Sequence, residues 1–519
     1  MTGIRSPAFP VLAVLALAGA APSPTTQAPA VDSQRDRLRE MLRERLADST
    51  VDRPLLHRQQ IASLDHVHYR PYTRERQAAL RVKLPDESER ARFAEARDGV
   101  ESPALDLLDE FYGTRDALKA LAVRDRDGDK TPDYRVSDYY GKFSEGDIDV
   151  DGDGVRNVYD AHPYDPSKGG RDTDGDGTPE SGFADRNGNQ LPDHVDWSLH
   201  KDDPALAEIQ LGLFRDHGIL LVERDAEFDV LLARAADDAV RRVFRAYFEK
   251  NPVLPTLRTI AAERTALLHA LLALLAEDET SAQVFSQTQS LTVYDPGRDV
   301  EDALGLLGLF AHEIGHSYHM SLDWDASRPD LENRRLDFPT PRFVETVEPF
   351  GWTTTGAIEG RFEDALPMPP QFLYTGMAEP AFLYKGRGPE EWEGWLNAIY
   401  EELGSPEDYL EHQAFVGEAV VGDYSLSTPY EWYGDNLLAY VIAELEKAAL
   451  ENMAAAGKPR AAQEAASQRI VASLRAIWPA FDHRNIGKEA FAYFRETFPI
   501  REDDLQLLVD RYIDPITEP

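Results

Sequence analysis

Between Arg124 and Asp196 the chain carries 19 Asp/Glu against 9 Lys/Arg, with Asn, Gly and Pro where a folded core would need apolar residues. Such a stretch cannot bury enough apolar surface to offset the entropy of ordering it. It is either disordered or ordered by bound cations, and either way it divides the 519-residue chain into separate units. That length is already too great for one compact core.

The acidic residues are not scattered. Asp149, Asp151, Asp153, Asn157 and Asp160 occupy positions 1, 3, 5, 9 and 12 of a loop with Gly154 at the turn, and Asp185, Asn187, Asn189, Asp193 and Asp196 repeat the spacing. Two further starts, Asp125, Asp127, Asp129 and Asp133, and Asp172, Asp174, Asp176 and Glu180, lack an acid at position 12 but have Asp138 and Asp185 two residues beyond it. Oxygen ligands at this spacing, with a backbone carbonyl at position 7, suit a hard seven-coordinate ion. The flanking helices of an EF-hand are missing. The segment resembles thrombospondin type 3 repeats, which implies several structural Ca2+ ions across residues 122–200 in place of a hydrophobic core.

On the N-terminal side of this segment, Arg5, the short apolar run Phe9–Ala20 and the small residues Ala18, Gly19 and Ala20 form a secretory signal over residues 1–21, cleaved near Ala20 or Ala21. The run is shorter than a membrane span, so the expected location is secreted, periplasmic or cell-surface, with no span after cleavage. Residues 22–30 are a Pro, Thr and Ala linker. Residues 31–121 are charged and helix-prone, with Leu38, Met41, Leu42 and Leu46 at helical spacing, as in a pro-region or a plain helical domain. A net charge of -38 with a pI near 4.7 argues against nucleic acid or anionic lipid as partner. With no cysteine, stability rests on core burial and bound metal.

Residues 201–519 return to apolar patterning. Phe228, Leu231, Leu232, Ala235, Val243, Phe244 and Tyr247 fit one long amphipathic helix, a second, strongly apolar segment covers Leu257–Leu275, and Ser290–Tyr294 reads as a strand. The apolar run Ala303–Ala311 then leads into His312-Glu313-Ile314-Gly315-His316. On a helix His312 and His316 lie one above the other and can grip one ion, while Glu313 is turned aside, where it can act as general base. A catalytic zinc needs a third protein ligand. Position 322 is Leu and position 335 is Arg, which eliminates two common spacings. Downstream, Glu431 and Asp435 share a helical face, so one carboxylate can bind the ion while the other accepts the outer N–H of a ligating His. Glu418 competes as ligand. His319, three residues after His316, could line the same cleft, with core or surface packing as the favoured reading.

The His-Glu-x-x-His motif paired with Glu431-Trp432-Tyr433-Gly434-Asp435 resembles the anthrax lethal factor-like metallopeptidases, and more loosely thermolysin, among the gluzincins. The chain departs from the former in having Asp at 435 and a long interval between His316 and Glu431. The resemblance implies Glu431 as third zinc ligand, Asp435 as partner of His312, and Tyr424 as donor to the transition state. It also implies that Ser290–Tyr294 is an edge strand on which an extended peptide lies. The expected fold class is α+β: a mainly helical zincin-like catalytic domain with a small sheet, plus an irregular calcium-ordered segment. The expected function is that of a secreted zinc endopeptidase using a metal-activated water, with Glu313 as base and a protein or peptide as substrate. A calcium-dependent binding protein with an inactive peptidase fold, and a zinc hydrolase of non-peptide amides, are the alternatives.

Overall fold

The structure is a computed structural model that describes residues 85–100, 105–114, 186–191, 195–223, 226–263, 282–285, 290–294, 303–324, 341–354, 382–384, 421–422, 425, 429–478 and 481–517, with a helical stretch over 34, 36–42 and 44. The described residues form a mainly helical α+β fold with a small sheet. Among them no helix is long and apolar enough to cross a membrane.

Near the N-terminus, the stretch ending at 44 buries Leu38, Met41 and Leu42. Helices α1 (Glu87–Arg97) and α2 (Leu105–Tyr112) bury Phe93, Leu108 and Phe111. Asp86 caps α1 by accepting from Glu89 N, satisfying an amide that the helix cannot. Phe93 stacks on Tyr112 at 4.2 Å, and Arg97 holds Asp109 through two bonds of 2.6 and 2.7 Å. Leu46 lies outside the described residues.

The larger core begins at α3 (Pro204–His217), with Asp203 as N-cap, Pro204 in the first turn and Gly218 as its left-handed C-cap at φ 65°. That turn delivers the chain into β1 (Leu220–Glu223). Helix α4 (Val230–Asp238) comes next, capped by Asp229. The long helix expected here is broken: Ala239–Val243 is a π-turn and Phe244 leaves helical geometry before a last turn at Arg245–Phe248. A π-turn adds a residue and rotates the helix beyond it, so Val240, Val243 and Phe244 are buried without sharing one stripe; Leu231, ahead of the turn, is exposed.

Strands β2 (Thr259–Glu263), β3 (Ala282–Phe285) and β4 (Ser290–Tyr294) complete a four-stranded sheet of order β1-β2-β4-β3. The segment from Leu257 thus starts as a strand, and residues 264–281 lie outside the described residues. The strands β1, β2 and β4 are parallel, with Leu220 opposite Thr259 and Thr259 opposite Ser290; β3 runs antiparallel, with Val284 opposite Leu291. Ser290–Tyr294 is a strand as expected but not an edge. It is paired on both sides and every residue in it is buried, Ser290 and Thr292 included. The edge position beside it belongs to β3.

Helix α5 (Ala303–Met320) is buried nearly all round, which marks a central helix. It packs against α4, β3 and, most extensively, α7 (Pro429–Ala455). Between these two in sequence stand α6 (Pro341–Val347) and the hairpin strands β5 (Trp352–Thr354) and β6 (Phe382–Tyr384). Helices α8 (Arg460–Ile477), α9 (Lys488–Thr497) and α10 (Glu502–Leu508) then pack on α7. The fully buried Asp238 ties the C-terminus to α4 by accepting from Arg242, Arg511 and Tyr512.

Candidate metal centre

Where α5 and α7 cross, both helices carry glycine. A Cβ on Gly315 would meet Leu437 at 2.8 Å, and one on Gly434 would meet the His312 ring at 2.7–2.9 Å. The missing side chains let the backbones approach, so that His312 and His316 of α5 reach Glu431 and Asp435 of α7. In the sequence Gly434 is only the small residue of the motif; the fold places it where a bulkier residue would displace the His312 ring.

Three atoms converge there. His312 Nε2 lies 2.9 Å from His316 Nε2 and 3.2 Å from Glu431 Oε2, and His316 Nε2 lies 3.3 Å from the same carboxylate oxygen. Among the described residues this is the group of three able to hold a metal ion. A tetrahedral ion with bonds of about 2.0–2.1 Å spaces its ligand atoms by roughly 3.3 Å, so the triangle has the right dimensions.

The protons make the same point. His312 Nδ1 is 3.1 Å from Asp435 Oδ1, and His316 Nδ1 is 3.0 Å from His319 Nε2. If each Nδ1 carries the proton of a neutral imidazole, both Nε2 atoms turn lone pairs toward Glu431. Three acceptors facing one another repel unless a cation or a proton sits among them.

Burial works against charge throughout the site, and the partners decide the outcome. It opposes a charged His312, but the hydrogen bonds to Asp435 and Glu431 outweigh it and hold that imidazole well above its ordinary value. Burial also pushes Glu431 upward, yet His316 and His312 hold its carboxyl well below the usual range. For Glu313 the balance is reversed: burial dominates the pull of both histidines and raises the carboxyl. Glu313 directly succeeds His312 on α5, is buried with it, and is not a member of the ligand triangle. A carboxylate whose proton affinity is raised next to a metal centre suits proton transfer.

His319, read from sequence as packing, is indeed fully buried, beside Phe343 at 4.5 Å, Tyr430 at 5.2 Å and Tyr433 at 5.5 Å. It also touches a candidate ligand, which packing alone does not require. Its spacing, three residues after His316 and seven after His312, carried that signal. Tyr424 and Glu418 lie outside the described residues.

Of the acidic loops, only part of the last is described. Asn187 and Asn189 each donate an Nδ2 to Asp196 Oδ2 at 2.9 Å, and Asp196 Oδ1 accepts from Ser198 N and Oγ. The fold thus brings together loop positions 3, 5 and 12, and Asp196 also caps the short helix Trp197–His200. The Oδ1 atoms of Asn187 and Asn189 accept from backbone, at Asn189 N and Leu191 N. Ligation of a cation by these side chains needs their amides turned by half a rotation. Asp125, Asp127, Asp129, Asp133, Asp149, Asp151, Asp153, Asn157, Asp160, Asp172, Asp174, Asp176, Asp185 and Asp193 lie outside the described residues.

No protein-family model, curated protein or solved structure matches this chain.

Proposed function

We propose that the chain is a zinc-dependent peptidase whose ion is held by His312, His316 and Glu431, with Glu313 as general base. The observation that carries this reading is the triangle of two Nε2 atoms and one carboxylate oxygen, 2.9 to 3.3 Å apart, with a carboxylate of raised pKa at the adjoining helical position. Two imidazoles and one carboxylate are the donor set of a catalytic zinc that keeps a fourth position open.

When bound, zinc supplies Lewis acidity that makes water a better nucleophile and polarises a carbonyl. The rest falls to the chain. Glu313 would take a proton from a water at the centre and return it to the leaving amine. Asp435 holds the His312 ring by accepting from Nδ1. Strand β3, at the edge of the sheet among the described residues and packed against α5, is where an extended peptide would add a strand, the part that Ser290–Tyr294 cannot play. Tyr424 remains the proposed donor to the developing oxyanion. Residues 122–200 are proposed to bind Ca2+ as structural ions, and the whole protein to act outside the cytoplasm.

Casein cleavage, with bound zinc counted, tests the central reading. Wild type should cut casein with about one zinc per chain, and Glu313→Ala should keep the zinc and lose the cleavage. Cleavage that survives in Glu313→Ala overturns the assignment of the base. Absence of zinc from active wild type overturns the centre.

A further inference from the structure

The two candidate histidine ligands are held in different ways. His312 turns its outer nitrogen to a carboxylate, Asp435, at 3.1 Å. His316 turns its outer nitrogen to another imidazole, with Nδ1 3.0 Å from His319 Nε2. Both members of the second pair stand on α5, one turn apart, and both are buried.

The proton positions depend on which atom faces the ion. His316 Nε2 belongs to the ligand triangle. To ligate, it must present a lone pair, so the proton of the neutral ring sits on Nδ1. A buried N–H needs an acceptor, and His319 Nε2 stands 3.0 Å from that nitrogen. His319 then carries its own proton on Nδ1; that nitrogen is buried with no hydrogen-bond partner among the described residues whichever tautomer His319 adopts, so it does not decide between them. The opposite arrangement, with His319 Nε2 donating, would put the His316 proton on Nε2 and close that position to any metal. One imidazole therefore decides which tautomer its neighbour can adopt.

The surroundings leave His319 little freedom to turn away. Phe343 of α6 lies 4.5 Å from its ring, and Tyr430 of α7 stacks on Phe343 at 4.7 Å, closing the same side. A neutral partner has a further consequence. Glu313, Glu431 and Asp435 already bring three carboxylates to the centre, and an imidazole at the outer nitrogen of His316 orients that ring without adding another negative charge.

We propose that His319 is a positioning residue, which accepts the His316 Nδ1 proton and so holds His316 in the tautomer that presents Nε2 to the metal. This inference rests on the reading of His312, His316 and Glu431 as a metal centre.

The test uses the full chain, cobalt(II) as the probe, and two amide variants of different reach. In His319→Gln the side-chain oxygen can occupy the place of Nε2; in His319→Asn it stops near the place of Nδ1. Cobalt affinity is read by competition with a chromophoric chelator, and ligand geometry by the visible absorption of the bound ion. His319→Asn should bind cobalt about 10–100-fold more weakly than wild type, with an altered visible spectrum. His319→Gln should restore both to near the wild-type result. His319→Phe, which keeps the aromatic packing and removes the acceptor, should behave as His319→Asn does, and it serves where the Asn variant loses folded protein. Wild-type affinity and spectrum in His319→Phe or His319→Asn overturn the positioning role and leave the metal centre standing. Failure of wild type to take up cobalt overturns the metal centre, and this role with it.

Discussion

Asp435 Oδ1 lies 3.1 Å from His312 Nδ1, while Glu431, one turn earlier on the same helix, reaches the other nitrogen of that ring at 3.2 Å. A single helical turn thus supplies both a ligand and the group that orients a ligand. This works because α7 crosses α5 closely enough for one imidazole to be gripped from both edges.

Replacing that outer carboxylate should weaken the centre without dismantling it. Asp435→Asn keeps the shape and removes the charge, and zinc affinity should fall by about 10–100-fold. Competition against a chromophoric chelator measures this; an unchanged affinity would remove Asp435 from the site.

Gly434→Ala offers a sharper test of geometry. Alanine favours a helix interior over glycine by about 1 kcal/mol, so an open site would gain stability. Here the new methyl would stand 2.7–2.9 Å from three atoms of the His312 ring. We expect zinc affinity to drop by at least the order of 10-fold seen when a ligand loses its orienting partner, with helical content preserved by circular dichroism. A variant that binds zinc as wild type does would show that the ring has another place to stand.

Zinc uptake should depend on pH through His312. Asp435 and Glu431 hold that imidazole well above its ordinary value against burial, so a proton occupies it at neutral pH when no ion is bound. An arriving cation must displace the proton, and lower pH favours the proton. Affinity should therefore fall as pH falls, and binding at pH 7 should release about one proton. Calorimetry in buffers of different ionisation enthalpy reads this directly; binding heats that do not vary with buffer contradict it.

Away from the site, Asp238→Ala should be costly. This carboxylate is fully buried and accepts from Arg242, Arg511 and Tyr512. Its loss leaves a buried hydroxyl without its acceptor and takes from Arg511 its ion-pair partner, while Arg242 keeps Asp504 at 2.9 Å. Both arginines retain some contact with solvent, which places the cost at about 3 kcal/mol, the lower end for a broken buried pair. Urea unfolding checks the figure, and a change below about 0.5 kcal/mol would mean that the network holds nothing together.

Much of the candidate centre was legible in the sequence. His312, Glu313 and His316 are local, and the helical repeat alone stacks the two histidines and turns the glutamate aside. Glu431 and Asp435 were legible as a pair sharing a face, although more than a hundred residues separate them from His316. Choosing between them needed the family resemblance, and the crossing of α5 and α7 now supplies the distances. The long helix expected from Phe228 to Tyr247 failed at the π-turn Ala239–Val243, where several apolar residues meet the core from more than one direction. Periodicity counts positions along an ideal cylinder and cannot register a residue inserted to satisfy packing.

What the sequence determined by itself was local chemistry: Ser290–Tyr294 as a strand, the stacking of His312 on His316 along a helix, and the donor atoms a metal could use. The tertiary structure alone decided the rest. It put β3 rather than Ser290–Tyr294 at the sheet edge, because strand order depends on pairings between distant segments. It set Gly434 against the His312 ring, because only the close approach of a second helix brings the two together. It also turned His319 from a packing residue into a partner of His316, since which nitrogen meets which is fixed by rotamers that neighbouring aromatics impose.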